Sequence, residues 1–176
     1  TVEAQRLHRE MVPRPFLSSC NEHCLETGRD LSHGGAQYNI GPVITGIGLA
    51  VVANSLAAIQ KLVFEEHRCD MATLAKALQA NWNGYEELRT AAKAAPKYGN
   101  DDDHVDGIAR EIANHFYDEI HQYHDIFGSP FLTAFMGISN YIPMGRVLGA
   151  TPDGRCAGEP SSEGVSPYVG TDVSTP

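Results

Sequence analysis

The sequence has neither an excess of positive charge nor a long apolar run. Its 176 residues include 13 lysines and arginines against 22 aspartates and glutamates, a formal net charge of −9. Such a chain is not expected to bind nucleic acid or an anionic membrane surface. The longest apolar stretch, residues 41–53, is too short to span a bilayer, and no basic segment followed by an apolar one marks a signal peptide. Composition predicts a soluble, acidic, cytoplasmic protein.

Cysteine is scarce as well. Four cysteines in a chain of this length do not indicate a disulfide framework, so reduced thiols are expected. Cys20 and Cys24 would share one face of a predicted helix with His23 beside them, which leaves a small zinc-binding protein open as an alternative. No His-Glu-x-x-His pattern is present, and no metal ligand is assigned.

The common catalytic and nucleotide-binding motifs are also missing. The segment Thr45–Gly48 resembles a dinucleotide-binding loop, but Val51 stands where that motif needs its third glycine. No glycine cluster is followed by Gly-Lys-Ser/Thr, so a P-loop is excluded. No Gly-x-Ser-x-Gly turn presents a serine nucleophile. The sequence therefore predicts no catalytic residue and no bound cofactor in this chain.

The apolar spacing predicts a mostly helical chain with few strands. Helices are predicted at Thr1–Met11, Phe16–Thr27 (ended by Gly28), Ile44–Phe64, Met71–Gln79 (with Asp70 as N-cap), Tyr85–Ala95 and Val105–Tyr123. Because Ile44–Phe64 is apolar almost all round, we expect it to be buried. The best strand is Phe131–Asn140, and no element is predicted after Met144.

Three blocks rich in Gly, Pro, Asn and Asp follow one another along the chain: Gly34–Asn39, Pro96–Asp103 and Gly149–Arg155, the last continuing through Ala157–Pro160 and Gly164–Pro167. Each block has the composition of turns. Together, at these separations, they closely resemble a stretch of the glycyl radical enzymes, the pyruvate formate-lyase family. The resemblance runs from Pro15 to Pro176 and matches only an internal segment of that longer family.

The resemblance implies an α/β fold. The chain would be a mostly helical fragment of a ten-stranded barrel, and residues 1–176 would form the partial domain between the cysteine loop and the glycyl radical loop. Cys24-Leu25-Glu26 imitates the cysteine loop, and Arg146–Gly149 imitates the radical loop, but neither has the neighbouring residues of the family motif. The chain alone is therefore expected to be inactive.

The resemblance also gives candidate substrate-binding residues. Alternation along the predicted strand places Ala134, Met136, Ile138 and Asn140 on one face, and Ile138 matches a position where relatives contact the substrate. Glu22 is a further candidate. Because Ile, Met and Ala carry no charge, this lining favours an apolar or aromatic substrate, for instance an arylacetate.

The parent enzyme implied by the resemblance is a radical lyase, such as a dehydratase or decarboxylase, or a formate acetyltransferase-like enzyme. It would cleave C–C or C–X bonds in a small-molecule substrate, and it is expected to be a homodimer. Its glycyl radical would be installed by a separate S-adenosylmethionine-dependent, iron–sulfur activating enzyme. The alternative from another class is a non-catalytic accessory or binding protein that retains this part of the fold.

Overall fold

The computed structural model describes residues 2–174. About half of the chain is helical, as predicted. The elements are α1 (Val2–Met11), α2 (Pro15–Ser19), α3 (Glu22–Thr27), a 3-10 turn (Leu31–His33), β1 (Val43–Gly46), α4 (Leu49–Ile59) with a π-helical extension (Gln60–Glu65), α5 (Met71–Gln79), α6 (Glu86–Lys93), α7 (Asp103–His121), β2 (Leu132–Phe135) and α8 (Tyr141–Val147). No helix within residues 2–174 is long and apolar enough to cross a membrane.

The chain divides into two compact units. The first contains the residues as far as Ile44 together with Tyr117–Thr133, and the second contains Thr45–Phe116 together with the residues from Ala134 onwards. Strands β1 and β2 pair in parallel as a two-stranded sheet. Each of the two strands and the long helix α7 has residues assigned to both units.

The first unit corrects the prediction of one helix over Phe16–Thr27. Helix α2 ends at Ser19, and Asn21 then takes an extended conformation as the N-cap of α3, where its side chain accepts a hydrogen bond from the Cys24 amide. Asn is a strong N-cap because it satisfies a free amide of the first turn. Cys20 and Cys24 consequently belong to different segments and do not share a helix face. Gly28 ends α3 with a positive φ of 64°, as predicted.

The predicted helix Ile44–Phe64 begins later, at Leu49, and is buried around most but not all of its surface. The first residues of the predicted helix belong to strand β1 instead. Gly48, with a φ of 96°, then turns the chain into α4. Leu49, Ala53 and Ala57 are buried against α7 residues Val105 and Ala109. Val52 and Leu56 lie on another face and are 45% and 44% exposed, so the expectation of all-round burial is wrong within this unit.

The three following helices confirm the sequence predictions with small shifts at their ends. Asp70 caps α5 by accepting a hydrogen bond from the Thr73 amide at 2.7 Å. Helix α6 covers Glu86–Lys93, so it begins one residue later and ends two residues earlier than predicted. Helix α7 begins at Asp103 and ends at His121, two residues before Tyr123. A second core joins α5 and α6 around the buried Trp82.

The strand and the tail depart most from the sequence predictions. Strand β2 covers Leu132–Phe135, less than half of the predicted Phe131–Asn140, and helix α8 forms where the turn-rich tail was predicted to begin. Phe135 of β2 packs closely on β1, where a Cβ at Gly46 would lie 2.4 Å from Cε1 of the phenyl ring. Only glycine at that position leaves room for the aromatic ring.

Candidate functional site

Three of the four predicted pocket residues lie at the end of β2 in the second unit. Ala134 is a half-buried strand residue, whereas Met136 and Ile138 come after the last strand residue. Ile138 lies in a tight turn in which its amide donates to the Met136 carbonyl at 3.0 Å. The alternation argument therefore applies to Ala134 alone, since the strand does not reach Asn140. The pocket assignment of Ala134, Met136 and Ile138 stays a prediction.

The segment Ser161–Gly164 packs directly against this turn. A Cβ at Gly164, where φ is +36°, would lie 2.9 Å from the Gly137 amide nitrogen, and a Cβ at Gly137 would lie 3.7 Å from Oε2 of Glu163. Glu163 is half-buried, and among residues 2–174 no hydrogen bond or ion pair to its carboxylate is found. Sequence analysis missed this carboxylate. Its one signal in the sequence was its place between Ser162 and Gly164, between two segments of the third turn-rich block.

Hydrogen bonds from two helices hold this segment in place. The Ser162 hydroxyl accepts from the Val51 amide at 3.2 Å, and the Ser162 carbonyl accepts from the Gly48 amide at 3.1 Å. The Ser161 amide donates to the Tyr141 carbonyl at the start of α8 at 3.1 Å. Because Ser162 is only 1% exposed, these bonds are shielded from water and fix Glu163 beside the β2 turn.

Glu22, the fourth predicted residue, lies in the first unit. It is exposed at the start of α3. Together with residues of α3 and of the first turn-rich block it borders a depression of about 490 Å³, lined by Asn21, Glu22, His23, Glu26, Ala36, Gln37 and Tyr38. This depression is polar and contains no buried charge. The role of Glu22 stays a prediction.

A wide cleft of the second unit was not predicted. It has a volume of about 850 Å³ and is bordered by the end of α6, the second turn-rich block and the chain after α8. Its most buried amine is Lys97, whose ammonium group donates to the carbonyls of Ala92 and Ala95 at 2.8 Å each. The pKa of Lys97 is lowered to about 8, chiefly because the ammonium group is buried. The negative charge of Asp153 opposes this shift, and the positive charge of Lys61 contributes to it.

The third turn-rich block builds one wall of this cleft around Arg155, which is 3% exposed. Its guanidinium donates to the carbonyls of Cys156 at 3.1 Å and Glu159 at 2.6 Å, to the Gly149 carbonyl, and to the Thr151 hydroxyl at 3.2 Å. Arg155 thus donates to three backbone carbonyls and holds this block of turns together. Its role here is structural.

Metal-binding groups do not assemble in the part of the chain that the structure describes. No group of three or more His, Cys, Asp or Glu side chains is placed to hold an ion. All four cysteines are free, with Cys20 exposed and Cys24 buried. Burial and the neighbouring Asp70 raise the pKa of the half-buried Cys69 thiol, which lowers its thiolate fraction.

Comparison with known proteins gives matches along nearly the whole chain. Residues 1–145 match the family described as pyruvate formate lyase-like. Trans-4-hydroxy-L-proline dehydratase of Clostridioides difficile is 40% identical over 94% of this chain and 21% of its own length. Isethionate sulfite-lyase of Bilophila wadsworthia is 35% identical over 89% of this chain and 19% of its own. The glycerol-bound B12-independent glycerol dehydratase of Clostridium butyricum superposes with a TM-score of 0.91 and 40% identity, covering 97% of this chain and 22% of that structure.

These matches define the class of protein. The fold is that of a segment of a glycyl radical enzyme barrel, which confirms the fold class expected from the sequence. The chain belongs to the pyruvate formate lyase-like family of glycyl radical enzymes. It spans about a fifth of the length of the relatives it matches, and those relatives are named as dehydratases and lyases.

Proposed function

We propose that this chain is the segment between the cysteine loop and the radical loop of a glycyl radical lyase, with residues 1–176 forming part of its barrel domain. The observation that carries the proposal is the TM-score of 0.91 with a glycerol dehydratase of which the chain covers only 22%. A fold that superposes so closely on about a fifth of a larger enzyme is best explained as the same part of a similar enzyme. Alone, the chain has no catalytic residue to supply.

The contribution of this segment to catalysis is to shape and close the substrate cavity. Ala134, Met136 and Ile138 present apolar atoms at the end of β2, and Glu163 adds a carboxylate held beside the same turn. Glu22 is proposed as a further substrate-contacting group. An apolar wall excludes water from a site in which radical intermediates must survive, and it favours a substrate with an apolar or aromatic part. The Glu163 carboxylate would accept a hydrogen bond from a polar group of that substrate.

The radical chemistry comes from residues outside this chain. In the proposed parent enzyme, a glycyl radical installed by an S-adenosylmethionine-dependent, iron–sulfur activating enzyme supplies the odd electron that starts hydrogen abstraction. The parent is proposed to be a cytoplasmic homodimer that cleaves a C–C or C–X bond. None of these properties requires a cofactor bound by residues 2–174.

The proposal is tested by activation without oxygen. The complete product of the reading frame that contains this sequence is incubated with S-adenosylmethionine and an activating enzyme, and electron paramagnetic resonance is recorded. We expect a glycyl doublet on the complete product, retained in its Gly149→Ala variant, and none on the 176-residue chain. A doublet on the isolated chain, or a reading frame that ends at Pro176, would instead support a self-contained or accessory protein.

The same activated protein tests the pocket. Ile138→Ala is expected to lower kcat/KM for the preferred substrate by about tenfold or more, because it removes apolar contacts from the cavity wall. Val147→Ala is the matched control, since Val147 lies in the same unit and is 81% exposed. Equal kinetics for the two variants would remove Ile138 from the pocket while leaving the reaction class intact.

A further inference from the structure

The cleft beside Lys97 has one more cationic than anionic side chain in its lining, although the chain as a whole is acidic. Four cationic and three anionic side chains line it, Lys61, Lys93, Lys97 and Arg155 against Asp102, Asp153 and Glu159, whereas the whole chain carries a net charge of −9. All of these residues lie in the second unit. A local reversal of charge in a concave site attracts ligands of the opposite sign.

The three carboxylates of the cleft already have protein partners. Asp153 accepts from the Thr151 hydroxyl at 2.5 Å and from the Arg155 amide at 3.4 Å. Asp102 accepts from the first amides of α7, those of His104 at 3.1 Å and Val105 at 3.4 Å. Glu159 accepts from the Cys156 amide at 2.8 Å and lies 3.7 Å from the Arg89 guanidinium. Glu159 thus uses both oxygens within the protein, whereas Asp153 and Asp102 accept these bonds through Oδ1 alone.

The lysines retain donors that the protein does not use. Lys97 spends two of its three ammonium hydrogens on the carbonyls at the end of α6. The Lys93 stem passes over Gly154, where an added Cβ would lie 2.6 Å from its Cγ, and no bond to its ammonium group is found among residues 2–174. Within residues 2–174, the Lys61 ammonium group has one carboxylate partner, Glu66, at 3.8 Å. The lysines therefore keep ammonium hydrogens for a ligand, and Oδ2 of Asp102 and of Asp153 are the acceptors in the cleft that compete with it.

We propose that this cleft binds a phosphate group, held by the ammonium groups of Lys61, Lys93 and Lys97. Lysine acts as a point charge toward phosphate, and its flexible stem lets several ammonium groups converge on one dianion. A volume of about 850 Å³ leaves room for an organic group attached to the phosphate. Free phosphate and a phosphorylated small metabolite share this chemistry, and the experiment separates them.

The test uses the complete protein and isothermal titration calorimetry with inorganic phosphate and with phenyl phosphate, at constant ionic strength set with chloride. We expect both anions to bind, and Lys93→Ala to weaken binding by about tenfold, because it removes one charge-assisted contact. Lys76→Ala, an exposed lysine of α5 outside the cleft, should leave binding unchanged. Tighter binding of phenyl phosphate than of inorganic phosphate would assign the site to phosphorylated metabolites, and equal binding would assign it to free phosphate.

A second readout does not depend on the Lys93 variant. Acetic anhydride labels neutral amines, so the acetylation rate of Lys97 measured by peptide mass spectrometry reports its protonation. Bound phosphate should slow that labelling, because a nearby anion favours the charged amine. The rate at Lys76 in the same sample is the internal reference. The proposal is overturned if neither anion binds, if Lys93→Ala and Lys76→Ala bind alike, or if phosphate leaves the Lys97 rate unchanged.

Discussion

At the scale of single residues, Asp30 connects three parts of the first unit. Its carboxylate accepts from the Arg14 amide at 2.9 Å, from the Ser18 hydroxyl at 2.8 Å, and from the amide and hydroxyl of Ser32 at 2.8 and 2.6 Å. Chiefly because of the Ser32 hydroxyl, with the Ser32 amide, Ser18 and Arg14 adding to it against some burial, the pKa of Asp30 falls from 3.8 to about 2. One carboxylate thus joins the start of α2 to the 3-10 turn.

This pKa predicts an acid-dependent contribution to stability. A carboxyl group whose pKa is lower in the folded state stabilises the fold above its unfolded value of 3.8, and the contribution is lost as the pH falls through about 2. Asp30→Asn should lower the melting temperature at pH 7 and reduce the change in stability between pH 4 and pH 2. Circular dichroism melts measure both, with the exposed Asp118→Asn in the same unit as control. Parallel pH profiles for Asp30→Asn and the unsubstituted protein would contradict the assignment.

At the scale of elements, two helical glycines occupy opposite environments. In α8, a Cβ at Gly145 would lie 2.3 Å from the Glu159 carbonyl oxygen and 2.6 Å from the Ser161 amide nitrogen, both backbone atoms. In α7, a Cβ at Gly107 would meet nothing within 4 Å. Helix α8 therefore packs so closely on the chain after it that only glycine fits, whereas α7 has no such constraint.

The two glycines predict opposite effects of the same substitution. Gly107→Ala should raise the free energy of unfolding by about 0.5–1 kcal/mol, because alanine is the better helix former. Gly145→Ala should lower it by about 1–3 kcal/mol, because rigid backbone atoms must move aside. Urea unfolding followed by circular dichroism compares them. If both substitutions stabilised the protein, α8 would not pack as described.

At the scale of the whole molecule, the chain after α8 organises the second unit without forming regular structure. Arg89 of α6 donates to the Gly154 carbonyl at 2.9 Å, and the Trp82 indole donates to the Arg155 carbonyl at 3.3 Å. The Asn81 side chain accepts from the Ala157 amide at 2.7 Å. These contacts join residues more than sixty positions apart, so the turn-rich tail is a structural part of this unit.

Arg155 makes four side-chain hydrogen bonds within that tail, and its substitution is the third prediction. Arg155→Lys keeps the charge but cannot reproduce the guanidinium fork, so backbone carbonyls of the third turn-rich block lose their guanidinium donors. The free energy of unfolding should fall by about 3 kcal/mol, given about 1 kcal/mol or more for each lost bond. Fluorescence of Trp82, the only tryptophan, reports the transition. The exposed Arg110→Lys on α7 should change stability by less than about 0.5 kcal/mol; equal effects would refute the role of Arg155.

Local patterns allowed much of the fold to be predicted. Helices α5, α6 and α7 follow apolar periodicity and caps such as Asp70. Gly28 ends α3 because the residue after the last turn takes a positive φ, which glycine adopts without strain. The break at Asn21 was missed because an Asn N-cap and a polar helix residue look alike within an otherwise helical pattern. The extent of β2 was missed because apolar residues continue past Phe135 while the hydrogen bonds of the strand do not.

By itself the sequence determined the family and the helical framework, since both depend on short patterns of residue types. The tertiary structure decided which distant groups meet: Glu163 at the turn after β2, and the lysines around the Lys97 cleft. Those contacts depend on hydrogen bonds such as that from the Val51 amide to the Ser162 hydroxyl, two residues that are 111 positions apart in the chain. Sequence spacing does not encode such contacts, because the path of the intervening chain sets them.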